Sequence, residues 1–303
     1  MTEFAQQLLN GLALGSIYAL IALGYTMVYG VLRFINFAHS DVLMLGAFAA
    51  FYLAAIAQPL MAVAPLAGAV LIVICAALIC AVIGVLIERL AYRPLRDRPK
   101  LTVLITAIGV SLFIEYTCQH KAVFGAATRA FPQLLPQHDL HLGGLAINSN
   151  DLVILALTGL LLLGLWFVVQ KTKMGTAMRA VAFNQQAAAL MGVNVGRVIS
   201  FTFALGSALA AVAGIAYALR APGIEPLMGV QPGIKAFIAA VLGGIGNLPG
   251  AVLGGLLLGL IETFAGGLKH LSNYRDGIAF ALLILILIVR PAGLLGREQP
   301  EKV

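Results

Sequence analysis

Ionisable groups inside apolar stretches are costly, so they are the first places to look for chemistry. This chain has few. Glu115 and Glu262 each fall near the end of a long apolar run. Their bland reading is snorkelling to an interface or packing against a partner; the sharper one is a transport pathway. Asn36, His39 and Asp41 cluster in INFAHSD (35–41). A histidine and an aspartate two apart suit a proton relay. They equally suit a helix start, with Ser40 or Asp41 as N-cap and acidic charge at the positive helix end. Capping is the expectation. No array of carboxylates and lysines is spread along the apolar runs, which argues against a carrier driven by titrating groups. A charged ring or carbonyl filter of the ion-channel kind is also missing. So are HExxH, GxSxG and GxxxxGK[ST], hence no catalytic residues are expected and any ATP and Mg chemistry belongs to other chains. Cys75, Cys80 and Cys118 lie in apolar runs without metal-ligand spacing and read as packing residues. No metal or cofactor is expected on this chain.

The most informative polar stretch is 171–197, KTKMGTAMRAVAFNQQAAALMGVNVGR. It is too polar to cross a membrane and has few breakers. Met174, Met178 and Val181 recur at i, i+4 and i+7, Leu190 and Met191 end the apolar series, and Gly192 suits a C-cap. Arg179, Asn184, Gln185 and Gln186 supply polar groups. The pattern predicts one or two short amphipathic helices at a membrane surface, resting on lipid headgroups or docked in a groove of another protein.

The elements that position these residues follow from composition. Of 303 residues, 61% are hydrophobic and 10% charged, against about 25% charged in a soluble domain. Apolar runs of spanning length recur throughout. The fold class is all-α: a polytopic transmembrane helical bundle forming one permease-type domain over 1–303. Spans are expected at about 8–31, 41–58, 65–88, 101–119, 151–170 and 198–220, then a Gly/Pro-broken pair at 233–246 and 250–266, and a last span at 277–290. Counted as two short spans the broken pair makes nine, and as one re-entrant loop it leaves seven full spans; the bundle is expected to have about eight to nine spans including the pair. Its hinge holds Gly243, Gly244, Gly246, Pro249 and Gly250 and is incompatible with regular helix. Broken helices often mark transport sites. The first 30 residues lack a basic leader region and read as a retained span.

Thirteen of the 19 Lys and Arg residues gather on one side: Arg33; Arg89, Arg93, Arg96, Arg98 and Lys100; Lys171, Lys173, Arg179 and Arg197; Arg290, Arg297 and Lys302. The other side takes Lys121, Arg129, Arg220, Lys235, Lys269 and Arg275. The richer side is the cytoplasmic one by the positive-inside rule, which puts the N-terminus outside and the C-terminus inside. The same rule accounts for the net charge of +7 without nucleic acid.

Four ordered blocks carry a resemblance: INFAHSDVLMLGAF (35–48), ERLAYRPLR (88–96), TKMGTAMRAVAFNQQAAALMGVN (172–194) and KAFIAAVLGGIGNLPGAVLGGLLLGLIE (235–262). Together they resemble the LivH-type permeases of high-affinity branched-chain amino acid ABC transporters, from about Asn10 to the C-terminus. Gln186-Ala187-Ala188 with Gly192 is similar to the EAA-xxx-G coupling loop of ABC importer permeases, with Gln in place of Glu and TFAL (202–205) where that pattern has IxLP. The resemblance implies an importer of the bacterial inner membrane. Its parts would be this chain, a second LivM-like permease, two cytoplasmic ATPases and a periplasmic binding protein, surrounded by membrane lipids. It assigns Arg179, Asn184, Ala187, Ala188 and Gly192 to ATPase coupling, and makes Asn36, His39 and the hinge glycines pathway candidates. Urea and short-chain amide permeases look alike; the remaining rivals are a self-sufficient secondary carrier and a structural or assembly subunit that binds partners without lining a path.

Overall fold

The computed structural model describes residues 2–96, 98–142, 145–268 and 272–296, apart from the side chains of 100, 141, 142, 272, 282 and 283. Arg297, Lys302 and Lys269 therefore lie outside the described residues. Among those described there are twelve α-helices: α1 Thr2–Leu32, α2 His39–Ile56, α3 Gln58–Val63, α4 Pro65–Ile87, α5 Lys100–Gln119, α6 Ser149–Lys171, α7 Lys173–Phe183, α8 Gln185–Leu190, α9 Val195–Arg220, α10 Val230–Gly243, α11 Leu248–Gly267 and α12 Arg275–Val289. Seven helical segments among the described residues are long and apolar enough to span a bilayer. The expected all-α polytopic bundle is what the chain forms. Two small antiparallel pairs, β1 (Arg129–Ala130) with β4 (Gly223–Ile224) and β2 (Asp139–Leu142) with β3 (Leu145–Asn148), cover one end.

Helix α1 is the central post. It packs along α11 and also meets α6, α9 and α10. Small residues make that possible: an α-carbon hydrogen of Gly15 occupies space where a methyl would sit 2.7 Å from the Leu256 backbone. In lipid, close backbone approach of this kind replaces the hydrophobic drive that joins helices in water. Helices α4, α5 and α6 form the outer layer and turn most of their apolar side chains outward, as lipid allows.

The 65–88 span runs on through a π-turn at Glu88–Tyr92 and a 3₁₀ turn to Leu95, where Pro94 ends the α-type hydrogen bonding. The broken pair is a helical hairpin. Helix α10 has only 14 residues, about 21 Å at 1.5 Å per residue. The hinge turns through Gly244 (φ +100°) and Gly246 (φ +93°), conformations that L side chains resist. Asn247 then caps α11 by accepting from the Gly250 amide. The hinge is a turn at one end of the bundle, covered by the C-terminal segment: the amides of Leu294 and Leu295 donate to the Leu242 and Gly243 carbonyls at 2.8 and 3.1 Å.

Candidate functional site

One end of the bundle gathers Arg33, the 171–197 segment, Arg96, the hinge and residues 290–296; this is the basic end. The segment folds as two short helices, α7 and α8, as expected. Thr172 caps α7 through the Gly175 amide, and Asn184 caps α8 through the Ala187 amide at 2.9 Å. Gly192 (φ +84°) closes α8: its amide reaches the Ala189 carbonyl and the Val193 amide reaches Ala188, a Schellman arrangement. Met178 and Val181 are buried and Met174 packs on them, which confirms the periodic face. Ala188 joins the same core. Leu190 and Met191 do not: they are 88% and 84% exposed, as is Phe183 at 88%. The helix breaks at Asn184, so α8 starts in a new phase and turns Ala188 to the bundle, not Leu190, while Met191 lies past its end. Arg179 lies on the surface and donates to the Val169 carbonyl at the end of α6. Arg33, in a left-handed conformation (φ 55°), ties the end of α1 to α7 by donating to Ala182 at 3.1 Å.

The middle of the bundle differs from the sequence expectation. Helices α2 and α10 both begin inside the bundle. His39 abuts Gly24, which lies about 12 Å along α1 from Leu32. Ser40 abuts Gly229 and Gly233 at the start of α10. Ser40 and Asp41 do not cap α2: its N-cap is Ala38, with no side-chain cap. The Ser40 hydroxyl instead donates to Phe37, and Asp41 accepts from the Ser111 hydroxyl of α5 at 2.5 Å. The reason is depth. A carboxylate that far inside needs a donor from a neighbouring helix, not a cap exposed to water. His39 packs against Tyr25 with ring centroids 4.6 Å apart and the planes tilted by 55°, and among the described residues its Nε2 finds no partner. Asn36 accepts from the Tyr92 hydroxyl at 2.6 Å, joining two of the sequence blocks. Glu115 is half-buried one turn beyond Ser111.

The opposite end opens into a cavity of about 640 Å³ between α1, α9, α10, α11 and the start of α12. Its floor is ionic. Lys235 Nζ lies 2.7 Å from Glu262 Oε1 and 2.8 Å from Asp276 Oδ1, and the Tyr18 hydroxyl donates to Glu262 Oε2 at 2.7 Å. Arg275 approaches Glu262 at 3.9 Å, and Arg220 binds Asp151 at 2.6 Å nearby. Glu262 therefore neither snorkels nor waits for another chain. Lys235 is not an interfacial cation but is 7% exposed, held in place because a buried charge is tolerable only when paired. Charge was expected to be sparse at depth; tertiary packing concentrates it here. Lys235, Tyr18, Tyr92 and Ser111 were not singled out from sequence. A lysine inside one short apolar helix and a glutamate inside the next was the available sign. Among the described residues, no group of three metal-ligating side chains occurs.

Residues 7–287 match the family described as "Branched-chain amino acid transport system / permease component". The chain belongs to that family. The permease is 42% identical to the high-affinity branched-chain amino acid transport system permease protein BraD of Pseudomonas aeruginosa, over 99% of this chain and 98% of that protein. It is equally identical, with the same coverage, to the LivH permease proteins of Escherichia coli K12 and Salmonella typhimurium. No solved structure matches it significantly. The permease is thus a membrane transport component, and its helices of spanning length agree with that role.

Proposed function

We propose that the permease is one membrane subunit of an ATP-driven importer of branched-chain amino acids in a bacterial inner membrane, working by alternating access. A periplasmic binding protein delivers the solute. A second, LivM-like permease completes the passage, and two cytoplasmic ATPases bind and hydrolyse ATP with Mg beneath it. The basic end faces the cytoplasm, so the N-terminus is periplasmic and the C-terminus cytoplasmic.

The observation that carries this reading is the surface of the 171–197 segment. Phe183, Leu190 and Met191, its exposed large apolar side chains, stand out from two capped helices whose other face is locked into the bundle. Exposed apolar groups on a rigid, polar-rimmed support suit a protein groove. Asn184 and Gly192 shape that support, Ala188 anchors it, and Ala187 lies on its exposed side. Arg179 and Arg33 connect it to the ends of α6 and α1, so a push on the segment is transmitted to the central post. The transport path is also asymmetric. It is open at the cavity end and closed below, where Tyr25 meets His39 and Phe237.

The deciding experiment is uptake of labelled leucine by vesicles holding the whole complex with its binding protein. Uptake that requires ATP inside and is lost in a Phe183→Ser, Leu190→Ser double variant, with ATP hydrolysis retained, supports the reading. Uphill transport by this chain alone on an ion gradient refutes it.

A further inference from the structure

We infer that the cavity opposite the coupling surface is a receiving site for one zwitterionic α-amino acid, with Glu262 holding its ammonium group and Lys235 its carboxylate. This rests on the importer reading and adds where, and by which charges, the solute is recognised.

The cavity, about 640 Å³, falls within the range of about 300–1,000 Å³ typical of small-ligand sites. Lys235 and Glu262 both line it while each is more than nine-tenths buried. Such charges are held at depth at considerable cost, so a use for them is expected. The charge count then selects the ligand class. Among the described residues, Lys235, Arg220 and Arg275 line the cavity together with Glu262, and Asp276 and Asp151, outside the lining, pair with Lys235 and Arg220, three against three. A net cation or anion entering such a balanced site leaves one charge uncompensated. A zwitterion leaves none: it opens the Lys235–Glu262 pair, gives each member a new partner, and turns one ion pair into two. Asp276 stays on Lys235, and the Tyr18 hydroxyl stays on Glu262, so both side chains remain anchored while the pair opens. A neutral amide or urea has no full charges to offer in exchange. Leu14, Pro232 and the Tyr217 ring border the same cavity and supply apolar surface for an aliphatic side chain.

The test uses the assembled complex in lipid nanodiscs, without binding protein, carrying Thr263→Cys on the cavity wall. A charged, water-soluble maleimide reports access. L-leucine at saturating concentration should slow labelling several-fold. L-leucinol, which lacks the carboxylate, 4-methylpentanoate, which lacks the ammonium, and 4-methylpentanamide should not. Adding Glu262→Gln should remove the protection by leucine. Labelling that leucine does not slow, protection by the amide equal to that by leucine, or a cysteine the reagent never reaches would each overturn the inference. The protection pattern in Thr263→Cys alone decides the matter if the Gln variant fails to assemble. Leucine uptake by the wild-type complex separates the two failures. Uptake without protection removes only this site, whereas absent uptake removes the importer reading itself.

Discussion

The seam between α1 and α11 offers the sharpest test of how the bundle is held. Consider Gly15→Ala. The new methyl would lie 2.7 Å from the Leu256 α-carbon and 2.9 Å from the Gly255 and Leu256 carbonyl oxygens. Ordinary contact begins near 3.4 Å, so the helices must separate by 3.4 − 2.7 = 0.7 Å at this point. All three atoms belong to backbone, so no side chain can rotate away. Overpacking of this sort costs about 1–3 kcal/mol. Alanine returns up to about 1 kcal/mol through its better helix propensity. Because only backbone is in the way, the cost takes the upper half of that range, and the net is a loss of about 1–2 kcal/mol, or a fall in Tm of about 2–3 °C for 303 residues. Gly164→Ala in α6 is the control, since a methyl there meets nothing within 4 Å. The assay is thermal unfolding of the purified permease in detergent, all variants side by side. Gly255→Ala, whose methyl would crowd Ala19 across the same seam, should behave like Gly15→Ala, and the double variant should be non-additive. If Gly15→Ala melts at or above wild type while Gly164→Ala shows only the modest gain of its better helix propensity, backbone contact does not hold α1 to α11, and the argument fails.

Other expectations concern the coupling end and the topology. Asn184→Ala removes the cap of α8, costs about 1 kcal/mol locally, and should lower leucine uptake per ATP hydrolysed in reconstituted complex; unchanged stoichiometry would refute it. Gly192→Val places a branched side chain at φ +84°, a strain of about 1–2 kcal/mol, and should raise hydrogen exchange across 185–193. A cysteine at Phe183 should be labelled only from the cytoplasm and one at Leu140 only from outside, in whole cells against inverted vesicles; the reverse pattern would invert the orientation. Ser111→Ala leaves the buried Asp41 without its donor and should destabilise the permease by about 1–3 kcal/mol in thermal unfolding, a loss that Ser111→Thr should largely restore.

The spans were legible because bilayer thickness fixes how long an apolar helix must be, and apart from α1, which starts at Thr2 against an expected 8, the observed spanning helices begin and end within about three residues of the expected ones. The α7–α8 segment was legible for a related reason: Met174, Met178 and Val181 obey helical spacing, and Asn184 and Gly192 are local signals of a start and a stop. What stayed hidden is depth and orientation. Hydropathy says that a helix prefers lipid, not which neighbours it meets. Helix α4, continuous aliphatic sequence, faces outward, whereas α1, richer in glycine and tyrosine, is the buried post. Capping logic failed at Ser40 and Asp41 because it assumes a helix that starts in water, and α2 starts beside α10 inside the protein. The ionic floor was missed for the same reason. Lys235 and Glu262 are 27 residues apart, and each looked tolerable near a membrane surface. Only the α10–α11 hairpin, with its glycine turn, folds one onto the other. The hinge and the ionic cluster therefore belong to one device: the broken helix that was legible as a Gly/Pro interruption is what brings a buried lysine to a buried glutamate.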